Sequence, residues 1–116
     1  MRAALAALAM TLATPAMAFD PVTDRSTFES LIVNRDLRMA LFGVTLEVRP
    51  DGTIGGEAQG WPITGTWSWQ DGYFCREMDW GGTAIPYNCQ LVEAAGSQVR
   101  FTVDRGAGRS ATFAIR

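Results

Sequence analysis

The most constraining stretch of this chain covers residues 65–75, Gly65-Thr66-Trp67-Ser68-Trp69-Gln70-Asp71-Gly72-Tyr73-Phe74-Cys75. Trp67 and Trp69 alternate with Thr66 and Ser68, the period of a half-buried strand. Asp71-Gly72 then supplies a tight turn into a return strand. An antiparallel hairpin with one aromatic face needs further strands to cover that face, so the fold class is set as all-β.

The same grammar runs through the chain from Leu37. Leu37, Met39 and Leu41 alternate with Arg38 and Ala40; Val44, Leu46 and Val48 alternate with Thr45, Glu47 and Arg49. Pro50-Asp51-Gly52 is a turn, since Pro presets φ and Gly accepts the left-handed position. Gly55 and Gly56 mark a bend or bulge, and Pro62 marks a corner because it cannot donate inside a ladder. Eight short strands are expected near residues 37–41, 44–49, 53–58, 62–69, 73–80, 86–93, 97–104 and 109–115. Joined by successive hairpins, they form a small antiparallel up-and-down barrel or strongly curled sheet. Ahead of them, Ser26 and Glu29 stand in capping-box spacing, with Phe28, Leu31 and Ile32 on one stripe. This predicts a short N-terminal helix that plugs an end of the barrel.

Register follows from the turns. Pro50-Asp51-Gly52, Gln70-Asp71-Gly72 and Ala94-Ala95-Gly96 each fit a three-residue loop closing on a left-handed glycine. That choice sets Trp69 against Tyr73 and Trp67 against Cys75. In the later hairpin it sets Leu91 against Val99, Cys89 against Phe101 and Tyr87 against Val103, and centring the wider Asp104 to Gly108 connection on Ala107 sets Val103 against Ala111, Phe101 against Phe113 and Val99 against Ile115. Glu77 and Asp79 then share the face of Trp67 and Trp69.

Residues 1–18 read as a signal peptide: Arg2, an uncharged apolar run over residues 3–13, and Ala16-Met17-Ala18 as the cleavage site. The apolar run is shorter than the roughly 20 residues a spanning helix needs. No cysteine follows the cut, so no membrane anchor is expected after cleavage. Residues 19–116 remain as one β-barrel domain, a periplasmic or secreted monomer. Loss of Arg2 takes the formal charge from −2 to −3, which speaks against nucleic acid as a partner.

In an exported chain, Cys75 and Cys89 read as a structural disulfide. They are symmetric about Gly82 and stand opposite one another in a hairpin with Gly81-Gly82 at its tip.

Missing residue types narrow the chemistry. The chain has no histidine, and all ten of its basic residues are arginine. Imidazole bases, Ser-His-Asp arrangements, His-containing zinc sites and lysine Schiff bases are excluded, and neither metal nor cofactor is expected. Trp61, Glu77, Asp79, Trp80 and Tyr87 are the candidate ligand-binding residues, gathered toward one end of the sheet. The function they suggest is a non-enzymatic binding module for a small molecule or a periplasmic protein. The alternatives are a small hydrolase using Glu77 and Asp79, which paired carboxylates allow, and an envelope structural or inhibitor protein. Arg105-Gly106-Ala107-Gly108-Arg109 adds a weaker candidate, a backbone nest for an anion with two guanidinium groups beside it.

At Gly65-Thr66-Trp67, Trp69, the turn from Asp71 to Arg76, and Tyr87-Asn88-Cys89, the chain resembles a family of short exported alphaproteobacterial proteins of unknown function. Some of these are named dihydrodipicolinate reductase by automatic transfer. The resemblance implies no catalytic residues. The chain carries no G-x-G-x-x-G after a strand and has no room for a nucleotide domain. The Gly-x-Trp element is also similar to that of lipocalin and avidin-like barrels, where it lies on the first barrel strand; here it falls near the fourth.

Overall fold

The computed structural model describes residues 18–116; the signal-peptide reading lies almost wholly outside them. Nine strands and one helix follow in order: β1 (Asp20–Val22), α1 (Arg25–Ile32), β2 (Asp36–Met39), β3 (Val44–Val48), β4 (Thr53–Ala58), β5 (Trp61–Gln70), β6 (Tyr73–Trp80), β7 (Thr83–Ala95), β8 (Gln98–Thr102) and β9 (Ser110–Ile115). All pairings are antiparallel. β2 to β7 form a meander, β2 also pairs with β9, β9 with β8, and β8 with β7. The result is a closed eight-stranded β-barrel with β1 as an extra strand. Closure removes the exposed edges that a sheet this long would otherwise present.

β7 is the long strand that makes closure possible. Its residues 83–90 pair with β6, while residues 91–95 pair with β8 on one side and 92–94 with β1 on the other. Before Leu91, β7 has no ladder partner on its β8 side. The connection between β8 and β9 crosses that seam instead, held where the Asp104 backbone N–H donates to Asn88 Oδ1 at 2.9 Å and Asn88 Nδ2 donates to Asp104 Oδ1 at 2.8 Å.

Two of the expected loops are shorter than their sequences suggested. Gln70 pairs with Tyr73, so Asp71 and Gly72 alone make the turn, at φ 51° and 84°. Two positive-φ residues form the type I′ turn, whose twist matches that of the flanking strands; an Asp-Gly pair meets this demand cheaply. Ala95 likewise pairs with Gln98, leaving Gly96 and Ser97 as the turn. The Pro50-Asp51-Gly52 loop does have three residues, with Val48 opposite Ile54.

A one-residue change of register turns every side chain to the opposite face. Trp67 therefore pairs with Arg76 and Trp69 with Phe74, rather than with Cys75 and Tyr73. In the β7–β8 hairpin the shift is three residues, with the same effect on the faces: Val92 faces Phe101 and Ala94 faces Val99, in place of the expected Cys89 and Leu91 pairings. Between β8 and β9 the shift is two residues, Phe101 facing Ala111 and Val99 facing Phe113, which preserves the face. The inner wall thus collects Trp67, Phe74, Val92, Val99, Phe101 and Phe113. Cys75, Glu77 and Asp79 go to the outer wall.

The disulfide between Cys75 and Cys89 forms as expected, the two residues directly opposed. They meet by way of a two-residue Gly81-Gly82 turn and a bulge opposite Glu77, which together restore the symmetry about Gly82.

Helix α1 closes one end of the barrel. Its N-cap is Asp24, which accepts from the Thr27 backbone N–H at 3.0 Å and from the Ser26 hydroxyl at 2.7 Å; Glu29 pairs with Arg25 at 2.7 Å. Ser26 is therefore inside the helix rather than its cap. Phe28 and Ile32 are fully buried. The Phe28 ring lies 4.9–6.4 Å from those of Trp67, Trp69, Phe74 and Phe101, an aromatic cluster at offset and edge geometries.

Candidate functional site: a barrel interior with one buried arginine

Beyond the aromatic plug the interior is hollow. A cavity of about 270 Å³ is walled by apolar side chains, among them Leu37, Ile54, Phe74, Phe101 and Phe113. The exposed Arg109 and Ser110 also border it, so it reaches the surface beside the β8–β9 connection, at the seam in β7. Its volume lies near the lower end of the range for small-molecule sites, about 300–1,000 Å³.

Four polar side chains break this apolar wall: Arg76, Gln90, Arg109 and Ser110. Arg76 is 7% exposed. It sits in the middle of β6, between Phe74 and Met78 on the same face, and its Nη1 donates to the carbonyl oxygen of Pro86 at 2.7 Å. No ion pair among the described residues includes it; the arginines so paired are Arg25, Arg38, Arg49 and Arg100. Nor does any carboxylate line the cavity. Burial lowers the Arg76 pKa from its ordinary value, but a guanidinium still carries its charge at neutral pH. The site is therefore an apolar chamber around one largely buried cation. Gln90, 8% exposed, stands opposite Phe74 in the next strand, and among the described residues its amide makes no side-chain hydrogen bond.

The residues singled out from the sequence sit elsewhere. Glu77 and Asp79 line a shallow groove on the outer wall with Thr64, Thr66 and Pro86, and the Asp79 carboxylate accepts from the Gly82 backbone N–H at 2.9 Å, bracing the β6–β7 turn. Tyr87 is exposed, its hydroxyl 3.4 Å from the Cys89 sulfur. Trp61 and Trp80 do come together, at the barrel end opposite α1, around a surface depression with Gln59, Gly81 and Thr83; Trp80 Nε1 donates to the Ala58 carbonyl at 3.0 Å. None of the five lines the cavity. Of the Arg105–Arg109 segment, Arg109 reaches the cavity mouth, whereas the Arg105 guanidinium stacks 5.3 Å from the Tyr73 ring.

Sequence reasoning missed Arg76 because the three-residue loop placed it outside. Asp71-Gly72, read as a type I′ pair, was the signal that would have turned it inward.

Among the described residues no helix is long and apolar enough to cross a membrane. The chain matches no protein-family model, no curated protein and no solved structure.

Proposed function

We propose that this protein is a non-enzymatic binding module, exported to the periplasm or beyond, that takes a small and largely apolar ligand into its barrel. The observation that carries this reading is the hollow interior. It is a concave, mostly apolar chamber of about 270 Å³ that opens to the surface beside Arg109, the form small-molecule sites take. At its α1 end the same barrel is filled by four aromatic rings packed about Phe28, and beyond them the wall is apolar but for Arg76, Gln90, Arg109 and Ser110.

The hydrolase alternative has less support than the interior site. Glu77 and Asp79 stand on the outer wall, and Asp79 is engaged in a turn. A protein-binding role keeps one observation in its favour: Leu41 (86% exposed), Phe42 and Trp61 are exposed apolar side chains at the end opposite α1.

The interior site is tested by titrating ¹⁵N-labelled protein with two eight-carbon probes, octanoate and 1-octanol. Amide shifts concentrated on β6, β8 and β9 are expected, and an Ala111→Phe variant, which pushes a ring into the cavity, should abolish them while leaving the folded spectrum intact. Shifts confined to Leu41, Phe42 and Trp61, or persisting in the filled variant, would transfer the site to the surface.

A further inference from the structure

The buried guanidinium narrows the ligand class, on the premise that the interior is a ligand site. A charge taken out of water is costly unless it is paired and hydrogen-bonded, and Arg76 has neither a carboxylate within 4 Å nor more than one hydrogen bond to protein among the described residues. A guanidinium has five N–H donors in a planar fork suited to a two-oxygen acceptor. The Pro86 carbonyl occupies Nη1. All side-chain polar atoms fully shut off from solvent are satisfied among the described residues, so the Arg76 donors that lack a protein acceptor are not sealed off, and the residue lines the cavity. Gln90 adds an uncommitted amide in the same wall.

We propose that the ligand is a monoanion with a short apolar body, of the class of a medium-chain carboxylate, whose head group pairs with Arg76 while its chain lies among Phe74, Phe101 and Phe113. One buried cation calls for one negative charge. Arg109 sits in solvent at the mouth, where it draws anions inward without fixing their charge number. The volume, about 270 Å³, is small for a ligand site and suits a short chain, of eight or so carbons, held within the barrel.

The test compares three probes of one chain length, octanoate, 1-octanol and octylammonium, by calorimetry on the disulfide-bonded protein. Octanoate should bind tighter than octanol by about 10–100-fold, the worth of a charge-assisted hydrogen-bond pair, and octylammonium should bind weakest. In Arg76→Gln the octanoate-to-octanol ratio should collapse toward one. Should that variant fail to fold, the wild-type protein supplies a second readout: the ratio falls as pH is lowered through the carboxyl range of about 4–5, where the probe becomes neutral. Equal octanoate and octanol affinities with no pH dependence would overturn the anion inference and leave the interior site standing. Failure of all three probes to bind would remove the interior site, and this inference with it.

Discussion

At the scale of single residues, Arg76 carries the account. A mostly buried cation with no ion-pair partner works against folding, so Arg76→Met should leave the unliganded protein at least as stable as the wild type while abolishing the preference for anions; urea denaturation measures the first and calorimetry the second. A destabilised variant would show instead that the bond to the Pro86 carbonyl is structural and that the guanidinium is adequately solvated. Reading Arg76 from sequence required a decision between a two- and a three-residue turn at Asp71-Gly72. The apolar alternation did not make that decision, because large side chains occupy both faces of β6 and β7: Phe74 beside Tyr73 and Cys75, Val92 beside Leu91. Two other residues set an acid limit. Hydrogen bonds from the Ser26 hydroxyl, then from the Thr27 backbone and hydroxyl, hold Asp24 below the ordinary carboxylate value of 3.8; the Thr53 hydroxyl and backbone N–H do the same for Asp51. Each contributes stability that is fully present above the ordinary value and is lost as pH falls through the lowered one. Stability should therefore decline below about pH 4, and the double variant Asp24→Asn, Asp51→Asn, which keeps an acceptor oxygen at both sites, should flatten that decline in thermal melts.

At the scale of elements, helix and disulfide brace the barrel in different ways. Phe28 is the centre of the aromatic plug, and Phe28→Ala should cost about 3–5 kcal/mol, seen as a lower urea midpoint with little change in slope. The helix was legible as an amphipathic stripe over Phe28, Leu31 and Ile32. Its cap was assigned two residues late because Asp24 and Ser26 are both good caps, and Ser26 spends its hydroxyl on the Asp24 carboxylate instead. Cys75–Cys89 closes a 15-residue loop on the outer wall, so reducing it should cost about 3 kcal/mol without changing octanoate affinity. A reduced protein that denatures at the same urea concentration would show that the β6–β7 ladder alone fixes this hairpin.

At the scale of the whole molecule, turn signals and alternation were enough to place eight strands and their order, since each hairpin is local. The barrel's closure depends on β7, whose length spans the expected 86–93 strand and a further five residues, and on its exchange of partners from β6 to β1. Neither is encoded in a local pattern. The hollow interior was invisible for a related reason: a cavity is set by what fails to fill it, here the vacated stretch between the Phe28 cluster and the seam beside Arg109. The account comes down to whether an anionic amphiphile lies in that space with its head at Arg76. The most direct measurement is the side-chain Nε–H resonance of Arg76, with nuclear Overhauser contacts to added octanoate. The account predicts a marked downfield shift of that resonance and contacts from the octanoate chain to Phe101, Ala111 and Phe113. An unmoved Arg76 signal, with chain contacts to Leu41, Phe42 and Trp61, would contradict it.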